Sequence, residues 1–419
     1  MCAFHRNQAG QLLVNDIPLN QIADEYGSPL YVYSGAGIAA AFDNFAAAVA
    51  PVSGKVHFAL KANSALGVIA LLAKRGAGAD IVSGGEMERA LAAGIAPADI
   101  VFSGVGKSRA EIEAALAKGV GQINAESSSE VALISAVASE MGVVAPVALR
   151  VNVDVDPGTH AKISTGQRST KFGISTDQRE AADLYRALHA DAHITPAGLA
   201  VHIGSQIRNL EPFERAYTAL LSLGQGLRAE GLPVPTLDLG GGVGVDYDEG
   251  TATDFTAYGA MVTSIFKDSD FAIGFEPGRS IVANNGVLIT EVIHVKDGDN
   301  KRFVIVDGAM NDLLRPTLYE AHHTIQPLDM PGADYGMADI VGPVCETGDY
   351  LGRDRMMPIL NAGDRLAVLS AGAYGAVMAS SYNTRPPAGE VMVIDGTVHV
   401  LRAQRSVASL LAEESIPDF

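Results

Sequence analysis

The sequence predicts a (β/α)8 barrel of the TIM type joined to a separate all-β domain. Three observations support this fold class. Eight short apolar runs of strand-like character alternate with helical patterns between residues 57 and 276. Several of these helical patterns begin at Ser-x-x-Glu and end at glycine, which are the start and stop signals of α-helices. After about residue 280 the apolar pattern changes to a period of two residues, which indicates antiparallel strands.

The predicted barrel strands are mostly apolar, as expected of parallel strands that are buried on both faces. They occur at residues 57–62, 78–83, 100–104, 122–126, 147–152, 199–204, 236–240 and 272–276. Predicted capping boxes start at Ser83, Ser108 and Ser127. Helix ends are predicted at Gly76, Gly94, Gly119 and Gly142. A doubly wound open sheet is the alternative, and the count of eight βα units favours the barrel.

The all-β domain is predicted from strand-like runs at residues 286–296, 301–307, 365–370, 390–394 and 397–402. Asp297-Gly298 and Asp395-Gly396 are hairpin-turn signals between neighbouring runs. Strand-like runs at 11–14 and 29–33 are assigned to the same domain. The predicted boundaries are therefore 36–278 for the barrel, and 1–35 with 279–419 for a discontinuous β domain.

Composition and charge exclude several classes of protein. The chain has 419 residues, of which 48% are hydrophobic, enough for a large core. A net charge of −18 argues against nucleic acid and anionic membranes as partners. Cys2 and Cys345, the two cysteines, define neither a disulfide framework nor a metal site. We read no signal peptide at the N-terminus and no apolar run near membrane-spanning length, so the cytoplasm is the expected compartment.

A lysine stands where the first barrel strand ends, in His57-Phe-Ala-Leu-Lys-Ala-Asn63. Barrel enzymes carry their chemistry at the carboxyl ends of the strands. Burial there destabilises an ammonium group, so the amine of Lys61 becomes a usable nucleophile. Its natural partner is an aldehyde, above all that of pyridoxal phosphate. On this stretch alone, the alternative is a lysine that only reaches from a strand end into solvent.

Two more motifs end the last two barrel strands, where barrels commonly bind phosphate. The triplet Gly240-Gly-Gly242 offers backbone N–H groups for a phosphate, and a tight turn is the alternative. In Glu276-Pro-Gly-Arg279, the carboxylate could keep a pyridine nitrogen protonated, and Arg279 could hold a substrate carboxylate. A surface ion pair is the alternative for this second motif.

The remaining candidates are single residues. His202 ends the sixth strand and would face the same mouth as Lys61, so a stacking or acid role is an alternative to the structural role of most lone buried histidines. Arg315 and Tyr319 could bind a second anionic group. Two further candidates are a loop thiol able to donate a proton and a glycine-flanked tyrosine placed to approach a ligand: Cys345 and Tyr374. The pair His322-His323 is expected to be exposed and without a role.

The loop at residues 153–176 interrupts the βα pattern after the fifth strand. Long loops at the carboxyl mouth of a barrel collect functional residues, so this loop is expected to border the site. An ordinary surface insertion is the alternative.

Taken together, these motifs resemble those of the alanine-racemase-fold (fold type III) pyridoxal-phosphate decarboxylases, in the same order and over nearly the whole chain. The segments that carry the resemblance are Phe58-Ala-Leu-Lys-Ala-Asn63, His202-Ile-Gly-Ser-Gln206, Gly240-Gly-Gly242, Glu276-Pro-Gly-Arg279 and Cys345-Glu-Thr-Gly-Asp349. Two others, residues 159–166 and Lys171-Phe-Gly-Ile174, resemble the subfamily that acts on meso-2,6-diaminopimelate. The resemblance implies conversion of that substrate, at its D-centre, to L-lysine and carbon dioxide, the last step of lysine biosynthesis. It also implies a β-sandwich or Greek-key second domain.

The resemblance implies roles around the cofactor. Lys61 would form the Schiff base with pyridoxal phosphate, His202 would stack on its ring, and Glu276 would pair with the pyridine nitrogen. The residues implied to lie at the phosphate are Ser205, Gly240, Gly241, Gly242, Gly278, Arg279 and Tyr374.

It also implies roles around the substrate. Glu346 would bind the distal ammonium group, and Cys345 would protonate the carbanion after carbon dioxide leaves. Both would enter the site from the partner subunit of an obligate homodimer with shared active sites. The residues implied to contact the rest of the substrate are Arg279, Arg315, Tyr319 and Tyr374.

The sequence departs from the family pattern at Thr347, where serine is more common, and at Val153, where proline is common. Neither position carries an implied role.

The closest alternative function is that of a related decarboxylase of ornithine, arginine, lysine or carboxynorspermidine. An alanine-racemase-type enzyme is disfavoured because racemases of this fold use arginine where Glu276 stands. A non-catalytic pyridoxal-phosphate-binding protein would be a bare barrel without the β domain.

Overall fold

The computed structural model describes residues 3–163, 165–166, 171–175, 180–248, 253–299, 301–330 and 334–419. Cys2 and Ser164 lie outside the described residues. The strands are β1 (Phe4–Arg6), β2 (Leu12–Val14), β3 (Ile17–Pro18), β4 (Leu30–Ser34), β5 (Lys55–Ala59), β6 (Gly78–Ile81), β7 (Ile100–Phe102), β8 (Gln122–Ala125), β9 (Ala145–Asn152), β10 (Ile174–Ser175), β11 (Ile194–Val201), β12 (Thr236–Asp238), β13 (Ala272–Phe275), β14 (Gly286–Asp297), β15 (Arg302–Val306), β16 (Ile325–Pro327), β17 (Tyr335–Val341), β18 (Tyr350–Pro358), β19 (Arg365–Val368), β20 (Gly389–Ile394) and β21 (Thr397–Arg402). The helices are α1 (Leu19–Tyr26), α2 (Gly35–Val49), α3 (Leu66–Ala73), α4 (Gly84–Ala92), α5 (Arg109–Lys118), α6 (Ser128–Met141), α7 (Glu180–Ala190), α8 (Glu211–Ala229), α9 (Thr256–Phe266), α10 (Arg279–Val282), α11 (Arg315–Tyr319) and α12 (Val407–Leu411).

Eight parallel strands close into a barrel in the order β5, β6, β7, β8, β9, β11, β12 and β13, and β13 pairs again with β5. The predicted (β/α)8 barrel is confirmed, and each of the eight predicted runs overlaps one of these strands. The short strand β10 pairs with the carboxyl-terminal end of β9. Because all eight strands run in parallel, the residues that follow them collect at one end of the barrel.

The helix signals read from the sequence are present, with one difference. The side chains of Ser83, Ser108 and Ser127 each accept a hydrogen bond from the backbone N–H three residues later. Only Ser108 belongs to a complete capping box. At the other two helices the glutamate reaches one residue further back: Glu86 accepts from the N–H of Val82, and Glu130 from that of Glu126. The four predicted helix-ending glycines all have positive φ, as a left-handed helix end requires: Gly76, Gly94, Gly119 and Gly142.

Replacing Ser108 by alanine is expected to lower the free energy of unfolding by about 1 kcal/mol, because it removes the acceptor for the N–H of Glu111. Urea unfolding followed by circular dichroism measures the change. Ser139→Ala, at an exposed position inside α6, is the matched control and should be close to neutral. Equal stability of the Ser108 and Ser139 variants would show that the cap contributes nothing measurable.

The second sheet has the strand order β18, β17, β15, β14, β4, β20 and β21, with β19 pairing to β14 and β16. The N-terminal strand β4 lies inside it, antiparallel to β14 and parallel to β20, as the predicted discontinuous domain requires. All five predicted C-terminal strands are found. The hairpin β17–β18 was missed, because β18 is an edge strand that carries Arg353, Asp354 and Arg355 in its middle.

The chain divides into two compact units. The barrel unit comprises residues 42–244 and 254–280, and the β unit comprises residues 1–41, 245–253 and 281–419. The segment 245–253 therefore belongs to the β unit, although it lies between barrel strands β12 and β13 in the sequence. The local sequence of this segment does not distinguish it from an ordinary barrel loop.

One helix is long and apolar enough to cross a membrane by composition alone. It spans Gly35–Val52, with a mean hydropathy of 1.3 over 18 residues. The expectation that no apolar run approaches this length was therefore wrong. The same test is passed by core helices that never meet a membrane, and here Ile38, Phe42, Phe45 and Val49 are buried in the protein.

Candidate active site

Lys61 lies in a single turn of 3-10 helix, Leu60–Ala62, directly after β5. Its Nζ is 2.5 Å from Oδ2 of Asp80, at the end of the neighbouring strand β6. The Asp80 side chain is fully buried, and its Oδ1 has no hydrogen-bond partner. The sequence predicted that burial alone makes this amine reactive. In the structure, 32% of its side chain is exposed and a carboxylate holds the ammonium.

Asp80 was missed, although the sequence contained a signal. It is the one charged residue in Gly78-Ala-Asp-Ile-Val82, a run that is otherwise apolar and ends at the same barrel mouth. A carboxylate is rarely buried unless it is paired. Its pairing with Lys61 therefore identifies the position where the amine is held.

A cavity of about 180 Å³ opens at this end of the barrel and brings three predicted residues together: Lys61, His202 and Glu276. They come from the ends of β5, β11 and β13. The other lining residues are Val82, Ser103, Gly104, Asn124, Arg150, Thr165, Phe172, Ala200 and Val201. The prediction that the 153–176 loop borders the site agrees with the presence of Thr165 and Phe172 in this lining.

His202 is held in one orientation and one protonation state. Its Nδ1 accepts a hydrogen bond from the N–H of Gly241 at 3.2 Å, which places the ring proton on Nε2. Burial, together with the positive charges of Arg150 and Lys61, lowers the pKa of His202 well below its ordinary value. The ring is therefore neutral at physiological pH, which suits stacking on a flat cofactor better than donating a proton as an imidazolium.

The glycine triplet is required by close packing of backbone. A Cβ on Gly241 would lie 2.2 Å from the carbonyl oxygen of Glu276, and one on Gly242 would lie 2.4 Å from that of Gly204. The loop also pairs with the segment after β11 through a bridge between Ile207 and Val243. The tight turn that the sequence offered as the alternative therefore explains these glycines in part.

This loop and the segment after β13 leave donors for an anion. Within the described part of the chain, the backbone N–H groups of Gly242 and Gly278 make no hydrogen bond, and Oγ of Ser280 has no partner. Polar groups without a partner at buried or half-buried positions are uncommon and call for a ligand or water. A phosphate group fits this set of donors.

Glu276 is buried and accepts a hydrogen bond from Oγ of Ser103 at 3.3 Å. Burial, and then the nearby carboxyl groups of Asp238 and Asp80, raise the pKa of Glu276 well above its ordinary value. Burial also raises the pKa of Asp238 to about 6. The neighbouring carboxyl groups of Glu276 and Asp238 are therefore both hard to ionise without a cationic partner. A protonated pyridine nitrogen is such a partner.

Arg279 is buried, and its Nε and Nη2 donate to Oγ of Ser205 at 3.3 and 3.0 Å. The two residues lie in the barrel unit, where the sequence analysis assigned both to cofactor binding. The contact joins the loop after β11 to the start of α10 and orients the guanidinium.

A second network at the mouth was missed from the sequence. Arg150 at the end of β9 pairs with Glu126 at 3.0 Å and donates to the carbonyl oxygen of His202 at 3.4 Å. Its guanidinium carbon lies 4.9 Å from the ring centre of Phe172. Glu126 also accepts from the N–H of Gly173 at 3.1 Å. Together these contacts anchor residues 171–175 at the mouth of the barrel.

The β unit holds the other predicted residues. Arg315 and Tyr319 lie on α11, and Arg315 is buried. The guanidinium carbon of Arg315 is 4.9 Å from the ring centre of Tyr247 and 5.9 Å from that of Tyr319. The prediction that His323 is exposed was wrong: this side chain is fully buried and accepts from Nε of Arg315. His322 is exposed, as predicted, and contacts Arg355.

Cys345 and Glu346 lie on an exposed loop, as predicted for the cysteine. The buried carboxylate of Asp349 shapes this loop by accepting from the N–H groups of Met310 and Val344. Oγ1 of Thr317, on α11, donates to the carbonyl oxygen of Gly348 at 2.6 Å. The loop is therefore attached to the helix that carries Arg315.

Tyr374 has a φ of 55°, a conformation that residues other than glycine rarely adopt. Its neighbour Gly375 is tightly packed, since a Cβ there would lie 2.6 Å from the carbonyl oxygen of Ala371. Such strain concentrates at ligand-binding positions, which agrees with the predicted role of Tyr374.

Comparison with known proteins places this arrangement in a family. Residues 36–283 match the family model described as "Pyridoxal-dependent decarboxylase, pyridoxal binding domain". The barrel with its lysine, histidine and glutamate at one mouth is that of a pyridoxal-dependent decarboxylase, and the chain belongs to this family.

Within that class, the similar full-length proteins are diaminopimelate decarboxylases. The enzyme of Zymomonas mobilis is 47% identical over 410 residues, which are 97% of this chain and 97% of that protein. The crystal structure of the M. jannaschii enzyme has a TM-score of 0.94 and 32% identity, covering 99% of this chain and 98% of that one. The Helicobacter pylori enzyme, crystallised with L-lysine, has a TM-score of 0.90 and 39% identity, covering 94% and 98%.

Proposed function

We propose that this protein decarboxylates meso-2,6-diaminopimelate to L-lysine and carbon dioxide, with pyridoxal phosphate at the mouth of its barrel. The observation that carries the proposal is the convergence of Lys61, His202 and Glu276 on one cavity, next to unpaired N–H donors. The near full-length similarity to diaminopimelate decarboxylases supports the choice of substrate. A cytoplasmic homodimer with shared active sites is part of the proposal.

The barrel residues fit the cofactor. The N–H groups of Gly242 and Gly278 would hold its phosphate, with Ser205 and Arg279 beside them. Glu276 would face the ring nitrogen, because its buried carboxyl needs a positive partner. Bound there, pyridoxal phosphate supplies an aldehyde for amino groups and a ring that accepts electrons from the substrate α-carbon.

The chain's own residues then do three things at the barrel. Lys61 presents its amine, and Oδ2 of Asp80, 2.5 Å from Nζ, is placed to hold or accept its proton. Glu276 maintains a negative charge that favours a protonated ring nitrogen. His202, neutral and fixed by Gly241, presents a flat ring without adding a competing charge.

The substrate carries two carboxylates and two ammonium groups, and the β unit offers groups of both signs. Arg315, flanked by Tyr247 and Tyr319, suits a carboxylate. The exposed Glu346 suits the distal ammonium group. A monoamino substrate, or a diamine that lacks the second carboxylate, would leave one of these groups unpaired, which costs affinity. We propose that the loop with Cys345 and Glu346 completes the site of the partner subunit.

Cys345→Ala is expected to lower kcat about 100-fold while cofactor binding stays unchanged, since proton donation by a placed side chain contributes about 100-fold or more. Its exposure means that truncation costs the fold little. Steady-state release of carbon dioxide and the cofactor absorbance are measured together. Thr347→Ala, two residues along the same exposed loop, is the matched control. Near-normal turnover by the cysteine variant would remove Cys345 from the proton-donor role.

The function is tested by carbon dioxide release from the cofactor-loaded protein. Meso-diaminopimelate is compared with L-ornithine, L-arginine, L-lysine and carboxynorspermidine, and lysine formation is followed by chromatography. Release from diaminopimelate alone, with one lysine per carbon dioxide, is the expected result. Release from another amino acid would keep the reaction class and overturn the substrate, and racemisation of alanine without release would overturn both.

A further inference from the structure

The imidazole of His323 has two contacts that fit only one protonation state. Its Nδ1 lies 2.9 Å from the carbonyl oxygen of Leu369, which can only accept, so Nδ1 carries the proton. Its Nε2 lies 3.3 Å from Nε of Arg315, which can only donate. The neutral ring with its proton on Nδ1 satisfies both contacts, and neither the other tautomer nor the imidazolium does.

The same ring belongs to a packed group around Arg315. Tyr247 meets His323 edge to face, with ring centres 5.1 Å apart, and its own face lies toward the Arg315 guanidinium at 4.9 Å. Tyr319 approaches that guanidinium at 5.9 Å. Thr324, next to His323, donates through Oγ1 to the carbonyl oxygens of Tyr247 and Asp248. Tyr247 and Asp248 are thereby tied to the segment just before β16, which carries the histidine.

These contacts define the orientation of the guanidinium. The two tyrosine rings restrict its plane, and His323 takes the Nε–H at one edge. With Nε engaged, the edge formed by Nη1 and Nη2 is the one that can grip a carboxylate with two parallel hydrogen bonds. A histidine that merely filled the core would not need an acceptor aimed at an arginine.

We propose that His323 is a positioning residue, which turns Arg315 so that its Nη1–Nη2 edge meets the substrate carboxylate. The inference deepens the proposed function and rests on the role given there to Arg315. His323 itself does not touch the substrate. Its effect is therefore expected in substrate binding, with the chemical step left intact.

Two substitutions separate the two contacts of the ring. In His323→Asn, the amide NH2 occupies the place of Nδ1 and keeps the bond to Leu369, but nothing reaches Arg315. In His323→Gln, the longer side chain brings an amide oxygen to the place of Nε2 and restores the acceptor. The asparagine variant should raise KM for diaminopimelate about tenfold with kcat within about twofold, and the glutamine variant should stay within about threefold of wild type.

Controls show whether the effect passes through Arg315. His322→Gln alters the neighbouring histidine, which contacts Arg355, and should leave KM unchanged. Arg315→Lys removes the Nε–H, so adding His323→Asn to it should raise KM no further. An equal rise in KM with both His323 variants, a fall in kcat alone, or additive effects in the Arg315→Lys background would each overturn the proposal.

Two measurements do not depend on diaminopimelate being the substrate. The dissociation constant of L-lysine, followed through the cofactor absorbance of the holoenzyme, should rise in His323→Asn and not in His323→Gln. If wild type releases no carbon dioxide from diaminopimelate but this pattern appears, the proposed function fails and the positioning role stands. In wild type, ¹⁵N spectra of labelled histidine, assigned with His323→Gln, should show the Nδ1–H tautomer at His323. The Nε2–H tautomer at His323 would overturn the proposal.

Discussion

Lys61→Ala is expected to abolish the visible absorbance band of lysine-bound pyridoxal phosphate and to lower turnover by about 1000-fold or more, as loss of a covalent catalytic group does. The amine lies at the end of β5 and borders the barrel cavity, and no other lysine lines it within the described residues. Absorption spectra of the cofactor-loaded protein and the rate of carbon dioxide release measure the two effects.

The alanine variant also removes the partner of Asp80, so a control must keep that charge. Lys61→Arg retains a cation for the buried carboxylate but offers no amine that can lose its proton. We expect this variant to be as stable as wild type in thermal unfolding and as inactive as Lys61→Ala. Persistence of the absorbance band in either variant would exclude Lys61 as the attachment point.

Glu276→Gln is expected to lower kcat by about 10- to 100-fold, which corresponds to losing a charge-assisted hydrogen bond of about 1.5–3 kcal/mol. The substitution preserves shape and the hydrogen bond from Ser103, but the amide cannot carry the charge that favours a protonated ring nitrogen. Burial and the carboxyl groups of Asp238 and Asp80 raise the pKa of Glu276, so its negative charge depends on that cationic partner. Turnover and cofactor affinity are measured separately.

The matched comparison is Ser103→Ala, which removes one donor to Glu276 and leaves its charge in place. We expect the serine variant to keep kcat within about threefold of wild type, as loss of a single neutral hydrogen bond implies. A Glu276→Gln enzyme that turned over as fast as Ser103→Ala would show that the charge of Glu276 has no part in the reaction.

The barrel could be predicted from the sequence because its signals are local. A parallel strand buried on both faces is mostly apolar, and a helix start or end needs particular residues at particular places. Once eight such units are predicted, the barrel topology fixes where their ends lie, because the carboxyl ends of parallel strands meet at one end of the barrel. Lys61, His202 and Glu276, each next to a different strand end, therefore had to converge.

Other features depended on contacts between residues far apart in the chain. Asp80 was recognised only when β6 placed its carboxylate beside Lys61. His323 looked like half of an exposed histidine pair, and only the packing of Tyr247, Arg315 and Leu369 around it shows a buried acceptor. Segment 245–253 leaves the barrel for the β unit without any change in local pattern. Periodicity and caps report on a residue's immediate neighbours, so the sequence determined the barrel and its reactive end. Pairings that bring distant side chains together were decided only by the tertiary structure, because their energy depends on groups that no sequence window contains.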